Sequence, residues 1–189
     1  DVTYVGSANP STFHRLLDTI RSRGNEIIAD IETGTCQHLD ELDELTFASI
    51  SSMLKPNPNR ARELREIYKR GTNVTFFDFW PYIKLLTTWT GGSCGISMKS
   101  IMPAFPEDAQ AVELGYLSSE VRGTITINID TNEGIPTIQE NFFEFVEKGM
   151  WEEGGREYVG VASLEVGKQY YLFVTTPAGL YRDNMNDII

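Results

Sequence analysis

The hydrophobic pattern of the sequence changes at Gly71, and this change limits the folds that the chain can adopt. Before Gly71, apolar residues recur every three or four positions, as they do on the buried face of a helix. Gly24 interrupts this pattern once, and Pro56 and Pro58 break it a second time. The periodicity predicts helices over 13–20, 27–31, 39–54 and 60–70, with Asn59 as the cap of the last one.

After Gly71 the pattern is that of strands. Runs rich in β-branched and aromatic residues predict strands over 84–89, 111–116, 123–130, 142–146 and 169–175, in addition to a short strand over 2–5. A short helix is predicted over 96–101. Within 123–130, isoleucines alternate with polar residues, which predicts a strand whose isoleucine face is buried.

Together these segments predict an α/β fold, in which one mixed β-sheet carries the helices of the first third. We expect residues 1–189 to form a single partial domain, helical to about residue 71 and rich in sheet from about 72.

The charge of the chain excludes one class of function. Its 189 residues include 16 Lys and Arg against 27 Asp and Glu, so the net charge is −11. Sequence-independent binding to nucleic acid depends on clustered cations and is therefore not expected. The first residues carry no cationic segment, and no apolar run reaches the roughly 18 residues of a membrane span, so we expect neither a signal peptide nor membrane insertion.

Cysteines and histidines are few. Cys36 and Cys94 lie far apart without the spacing of a disulfide framework or a zinc site, and reduced thiols of a cytoplasmic protein are expected. His14 and His38 are interpreted as solvated or structural rather than catalytic.

Three short segments could carry chemistry. Gly91 and Gly92 follow a predicted strand, where unhindered backbone would let a ligand approach, although an ordinary turn explains them as well. The segment 116–120 places hydroxyls and a carboxylate after a strand, suited to phosphate and Mg²⁺, but it could equally cap a turn or a helix. The segment 175–187 ends in Asp187, which could accept the two hydroxyls of a ribose or belong to a solvated surface turn.

Read in order, motifs throughout the chain resemble the auxin-responsive Gretchen Hagen family of acyl acid-amido synthetases, members of the adenylate-forming superfamily. Two matches are specific: NFFEFVE resembles the YFEF strand of the family, and VGKQYYLFVTTPAGLYR resembles its last nucleotide motif. Further matches are GYLSSE, which resembles the YASSE motif, and VGSANPSTFHRLLDTI, DIETGT, MLKPNPNRARELREI and FWPYIKLLTTWTGG.

The resemblance implies roles for individual residues. Ser119 would contact phosphate, Glu120 would orient Mg²⁺, and both would serve catalysis. Tyr116 would lie beside adenine, with Ser118 in the same motif, and Asp187 would bind ribose. Gly91 and Gly92, together with Thr90, would border the pocket for the acyl group and adenine. All of these residues are expected around one cleft at the carboxyl ends of strands.

Two departures from the family pattern stand out. The family sequence RYRVGD is replaced here by Arg182 followed by DNMND, which removes the glycine before Asp187 and the second arginine. In addition, we find no loop rich in serine, threonine and glycine that ends in lysine, and the sequence ends shortly after Asp187. We therefore expect the chain to be the central part of a longer enzyme, and to bind nucleotide weakly and form no acyl-adenylate by itself.

The resemblance implies an enzyme that uses ATP and Mg²⁺ to activate a carboxylic acid and then transfers the acyl group to an amine, in particular an amino acid. A non-catalytic domain that binds nucleotide or a partner is an alternative. An acyl-CoA-forming ligase is a second alternative, which differs only in the acceptor.

Overall fold

The computed structural model describes residues 2–37, 39–71 and 73–189. The chain divides into two compact units, Asp1–Glu113 and Leu114–Ile189. The change of pattern at Gly71 therefore lies inside the first unit. His38, which we interpreted as solvated or structural, lies outside the described residues.

The first unit combines helices with a small parallel sheet. Its strands are β1 (Tyr4–Gly6), β2 (Leu85–Thr88) and β3 (Gln110–Glu113), paired in that order. Its helices are α1 (Ser11–Thr33), α2 (Glu44–Met53), α3 (Pro58–Lys69), α4 (Phe76–Phe79) and α5 (Gly92–Ile101). Parallel strands joined through helices are the arrangement expected of an α/β fold.

Helix α1 is interrupted by a kink beside Gly24, as predicted, and then continues. Its backbone leaves helical geometry only at Arg23, and the helix ends at Gly34, whose φ of 71° favours glycine. Gly24 is required by packing, since a Cβ at this position would lie 2.2 Å from the ring of Tyr68 on α3. The Tyr68 hydroxyl donates to the carbonyl of Ile20 at 2.5 Å, which ties α3 to α1.

Helices α2 and α3 begin at polar caps. The side chain of Asp43 accepts a hydrogen bond from the Thr46 amide, so the predicted helix 39–54 divides into a 3₁₀ turn, Leu39–Glu41, and α2. Asn57 caps α3 by accepting from the Arg60 amide, with Pro58 in the first turn. The prediction of Asn59 as the cap is therefore wrong by two positions.

The core of the first unit lies between α1, α3 and the sheet. Phe13, Leu17, Leu64 and Leu86 are buried in it, and Phe76 stacks on Phe105 with a centroid distance of 4.5 Å. Each such side chain contributes roughly 1.5–3 kcal/mol on burial, so this cluster is the main source of stability for the unit.

The second unit is mainly antiparallel. Strands β4 (Thr124–Thr126) and β5 (Gly134–Pro136) form a hairpin, and β6 (Phe142–Glu147), β7 (Tyr170–Thr175) and β8 (Asp183–Ile188) form a separate sheet. Helix α6 (Lys148–Glu152) follows β6. The core of this unit includes Val121, Phe143, Phe145, Leu172 and Val174.

The combination of helices and sheets confirms the predicted fold class. The expectation that the later strands share one mixed sheet is wrong, because they are distributed over three sheets. The predicted strand 111–116 ends at Glu113, and Gly115 then takes a φ of 80°, a conformation that interrupts a strand. The pattern identified individual strands but carried no information on their pairing.

The predicted orientation of the strand at 123–130 is also wrong. Its isoleucines are the exposed residues, with 61% of Ile127 accessible, while the polar residues between them are half-buried. The reason is a polar contact on the inner side, where the hydroxyl of Thr124 accepts a hydrogen bond from the Tyr116 amide at 2.7 Å. Among the described residues, no helix is long and apolar enough to cross a bilayer.

Candidate functional site

The glycine turn of the first unit follows β2, as predicted. Gly91 is the N-cap of α5 and Gly92, with a φ of 52°, is its first residue, so the helix begins earlier than the predicted Ile96. A Cβ added to either glycine would meet no atom within 4 Å. The backbone of this turn is therefore open to an approaching ligand.

A carboxylate lies beside this turn. The backbone amide and the hydroxyl of Thr90 both donate to Oε2 of Glu113, at 2.5 and 2.6 Å. Because Glu113 ends β3 and Thr90 follows β2, the pair joins the carboxyl ends of two parallel strands. Ligands bind at this edge of open α/β sheets. Sequence reasoning missed Glu113, although a charged residue inside the predicted strand 111–116 was a usable signal.

In the second unit, the segment 116–120 forms a tight turn. The hydroxyl of Ser118 accepts from the amides of Glu120 and Val121, both at 3.2 Å, and the Ser118 amide donates to the Val121 carbonyl. Ser118 therefore caps a turn, which was the alternative left open for this segment. Ser119 and Glu120 lie at the tip of the turn and are exposed to solvent.

Asp187 lies in a bulged part of β8. Phe173 pairs with Asn184 and Tyr171 with Ile188, so three residues of β8 oppose Leu172 alone. Asp187 follows the strand β7 and a turn, as expected, but it lies in a further strand, β8, which was not predicted.

Asn186 stands where the family pattern has glycine, and its backbone takes a conformation that is usual for glycine. Asn186 adopts a φ of 56°, which asparagine tolerates better than most residues. Its amide donates to the side chain of Asn184 at 2.9 Å. Asn184 stands where the family has its second arginine, so a local hydrogen bond stabilises the bulge at that position.

Tyr116 and Asp187 meet, although 71 positions separate them. The Tyr116 hydroxyl donates to Oδ2 of Asp187 at 2.6 Å. Burial raises the pKa of Tyr116, and the hydrogen bond to Asp187 and the charges of Asp187 and Glu120 raise it further. The structure thus brings the Tyr116 hydroxyl and the Asp187 carboxylate into contact in the second unit. The negative charge of Glu120 also raises the pKa of the Tyr116 phenol. The convergence of these residues with Gly91 and Gly92 of the first unit stays a prediction.

An ion pair at the start of β8 was not found from the sequence. Arg182 donates to both carboxylate oxygens of Glu144 on β6, at 2.8 and 2.7 Å. The side chain of Glu144 is only 12% exposed, and the guanidinium also lies 4.5 Å from the ring centre of Tyr158. The hydrogen bonds to Glu144 raise the pKa of Arg182. The only sequence signal was a charged residue inside an otherwise apolar strand.

The arrangement of the acidic side chains limits how a metal ion could be bound. Among residues 2–37, 39–71 and 73–189, no three His, Cys, Asp or Glu side chains are grouped as metal ligands. Mg²⁺, however, is commonly held by one or two carboxylates together with substrate phosphates. The single exposed carboxylate of Glu120 fits that mode of binding.

The remaining candidate residues are structural. Nε2 of His14 on α1 lies 3.1 Å from the Ser97 carbonyl and 3.0 Å from the Ser100 hydroxyl, both on α5, which confirms the structural interpretation. Cys36 and Cys94 are free thiols, as expected.

The geometry defines a class of protein: an α/β unit with an open glycine turn at the carboxyl edge of its sheet, followed by a β-rich unit with a tyrosine–aspartate contact. Comparison with known families agrees with this division. The GH3 family N-terminal domain matches residues 1–109, and the GH3 family central domain matches residues 134–189. The chain belongs to the GH3 family, as its motifs suggested.

Individual relatives are similar along most or all of the chain. An indole-3-acetic acid-amido synthetase of Arabidopsis thaliana, GH3.6, is 27% identical over 100% of this chain and 34% of its own length. A jasmonoyl–L-amino acid synthetase of Oryza sativa subsp. japonica, GH3.5, is 29% identical over 75% of this chain and 27% of its own length. The chain thus spans about a third of the length of the relatives that it matches.

The fold is similar to that of a solved structure. The GH3.15 acyl acid amido synthetase matches 99% of this chain and 34% of its own, with a TM-score of 0.75 and 20% sequence identity. At this identity the similarity concerns the fold alone.

Proposed function

We propose that the chain is part of an ATP-dependent acyl acid-amido synthetase. Such an enzyme activates a carboxylic acid as an acyl-adenylate, releases pyrophosphate, and transfers the acyl group to an amino acid. The observation that carries the proposal is the hydrogen bond between Tyr116 and Asp187, which joins two segments that resemble nucleotide motifs of the family within one unit. The names of the relatives support the same chemistry.

Asp187 is proposed to bind the ribose of ATP. A carboxylate accepts hydrogen bonds through two oxygens with about four lone pairs, and among the described residues the Asp187 side chain accepts one bond, from Tyr116. The exposed position of Asp187 in the bulge leaves the other oxygen accessible. The neighbouring ring of Tyr116 supplies an aromatic surface for adenine.

Glu120 and Ser119 are proposed to act at the phosphates. Both project from the tip of the turn, where Ser118 fixes the backbone, so their side chains are available to a ligand. The Ser119 hydroxyl would donate to a phosphate oxygen, and Glu120 would hold Mg²⁺. When bound, Mg²⁺ neutralises charge that develops on the phosphoryl group.

The open turn at Gly91 and Gly92 is proposed to border the acyl acid. In the reaction, a carboxylate oxygen of the acid attacks the α-phosphorus and pyrophosphate leaves. The amine of the amino acid then attacks the acyl carbon, and AMP leaves. Neither step requires a nucleophile from the protein, in agreement with the structural role of His14. The contribution of these residues is positioning and electrostatic stabilisation.

Residues 1–189 are proposed to be one part of a larger domain that includes the loop for the outer phosphates. The reduced thiols Cys36 and Cys94 and the use of ATP favour the cytoplasm. The carboxylic acid and the amino acid are small molecules whose identity these residues do not specify.

The test is the exchange of labelled pyrophosphate into ATP by the complete protein, measured with a panel of carboxylic acids. We expect exchange that depends on the acid, its loss in Glu120→Ala, and weaker ATP binding in Asp187→Ala. Two hydrogen bonds to a charged acceptor are worth on the order of 1.5–3 kcal/mol each. Absence of exchange with every acid would favour a non-catalytic domain.

The acceptor is tested separately. Formation of AMP in the second half-reaction should depend on an amino acid and not on coenzyme A. Dependence on coenzyme A alone would identify an acyl-CoA-forming ligase instead.

A further inference from the structure

The hydroxyl of Tyr116 connects two segments that belong to different family motifs. It donates to Asp187 at 2.6 Å, and it reaches β8 at the bulge between Asn184 and Ile188. Asp187 is exposed there, and an exposed carboxylate without such a contact samples several rotamers. The hydrogen bond therefore selects one orientation of the carboxylate before any ligand arrives.

The Tyr116 side chain is itself held in place. A Cβ at Gly123 would lie 2.3 Å from the ring, so the ring packs directly on the backbone of Gly123. The Tyr116 amide donates to the Thr124 hydroxyl, and the Tyr116 carbonyl accepts from the Gly123 amide at 2.8 Å. The phenol thus approaches Asp187 from a fixed direction.

We infer that Tyr116 is a positioning residue, whose hydroxyl holds one oxygen of Asp187 and thereby directs the other oxygen to the ribose hydroxyls of the nucleotide. The inference rests on the proposed function and adds to it a role for the phenol group, distinct from contact between the ring and adenine. Preorganisation of this kind increases affinity because the carboxylate is ordered before binding.

The protonation state of the phenol agrees with this role. A donor must keep its proton, and burial, together with the charge of Asp187, raises the pKa of Tyr116 above its ordinary value. The hydroxyl is therefore a donor over the whole range in which ATP-dependent enzymes work. Asp187 retains further lone pairs for the ribose.

The experiment compares two nucleotides on the complete protein. The dissociation constants of ATP and of 2′,3′-dideoxy-ATP are measured for the wild type, Tyr116→Phe, Asp187→Asn and the double variant. In the wild type, ATP should bind more tightly than the dideoxy analogue. In Tyr116→Phe, we expect affinity for ATP to fall roughly five-fold, with little change for the analogue, as for the loss of one hydrogen bond.

The double variant isolates the coupling between the two side chains. If Tyr116 acts through Asp187, its replacement should have no further effect on nucleotide selectivity once Asp187 is Asn. The matched control is Tyr170→Phe. This variant also loses a phenol hydroxyl in the core of the second unit, where the hydroxyl accepts a hydrogen bond from the Glu165 amide at 3.2 Å. It should leave the selectivity between the two nucleotides unchanged.

The outcomes separate the inference from the proposed function. If Asp187→Asn abolishes discrimination and Tyr116→Phe leaves it intact, the positioning role is wrong and the ribose site stands. If Asp187→Asn has no effect on discrimination, the proposed ribose site is wrong. Tighter ATP binding by Tyr116→Phe would show that the phenol competes with ribose, and would also overturn the inference. The ratio of two affinities from one preparation does not depend on the fraction of folded protein.

Discussion

Arg182 forms a two-pronged ion pair with Glu144 across the sheet of the second unit, with N···O distances of 2.8 and 2.7 Å. Glu144 lies on β6, and Arg182 immediately precedes β8, so the pair fixes the start of the strand that carries Asp187. Arg182 also has a φ of 46°, and its amide donates to the Thr175 hydroxyl. Both contacts hold the turn between β7 and β8.

We expect Arg182→Met to be more destabilising than Glu144→Gln. The first change leaves the buried carboxylate of Glu144 without its cation, whereas the second leaves a more exposed guanidinium that water can solvate. Thermal unfolding of the two variants measures the order. The control is the ion pair between Arg65 and Glu32, whose side chains are both at least 40% exposed. Exposed ion pairs contribute little to stability, so the same kind of substitution in this pair should change the melting temperature little. Equal melting temperatures for Arg182→Met and wild type would contradict this account.

Replacement of Asn186 by glycine should leave the stability nearly unchanged, whereas replacement by a β-branched residue should lower it. Its φ of 56° lies in the left-handed region, where an ordinary side chain costs roughly 1–2 kcal/mol. Asn186→Gly should therefore change the free energy of unfolding little, and Asn186→Val should lower it by about that amount. Denaturant titration gives both values. If valine were as stable as glycine here, the bulge would not have the backbone described for β8.

Gly24 should not tolerate even alanine. The added Cβ would lie 2.2 Å from the Tyr68 ring and would displace the hydroxyl that donates to Ile20, an overpacking that costs about 1–3 kcal/mol. The matched control is Gly149→Ala in α6, where no atom lies within 4 Å of the new Cβ. That change should stabilise the protein by roughly 0.5–1 kcal/mol through helix propensity. Equal effects of the two substitutions in denaturant titration would show that packing at Gly24 is unimportant.

Local structure was predictable wherever one segment determined its own conformation. The strand before Gly91, the helix after Gly92 and the apolar strands β6 and β7 follow directly from periodicity and from glycine. The interruption predicted at Gly24 is confirmed as a kink at Arg23, but the close contact of Gly24 with the Tyr68 ring is a tertiary feature that the local pattern does not contain.

Pairing between segments was not predictable from the residues alone. Alternation in 123–130 identified β4, but the buried face was decided by the hydrogen bond from the Tyr116 amide to Thr124, which no periodicity contains. For the same reason the pairs Arg182–Glu144 and Thr90–Glu113 were missed. Asp187 and the segment that includes Tyr116 were candidates from their own side chains, but their particular roles came from the resemblance to a known family.

Stability at alkaline pH should depend on Tyr116. Its pKa is raised in the folded state, so its contribution is fully present below the unfolded value of about 10 and is lost as the pH rises above that value. One proton corresponds to at most about 1.4 kcal/mol per pH unit. Solvent screening at this half-buried site reduces the pKa shift and so narrows the pH interval over which stability is lost. Because the phenol of the unfolded chain is only half ionised at about pH 10, the expected difference in slope between wild type and Tyr116→Phe is roughly 0.5–1 kcal/mol per pH unit. Denaturant titrations between about pH 9 and 11 measure the two slopes.

Asp187→Asn separates the effect of burial on the pKa of Tyr116 from the effect of Asp187. The substitution removes the negative charge and weakens the hydrogen bond but leaves the ring buried, so the slope should fall only in part, because burial is the largest cause of the raised pKa. Tyr68 provides the comparison, since burial alone raises its pKa and Asp187→Asn should not affect its titration. A slope unchanged in both Tyr116→Phe and Asp187→Asn would mean that the phenol and the carboxylate do not interact in solution. The hydrogen bond from which the positioning role is argued would then be absent.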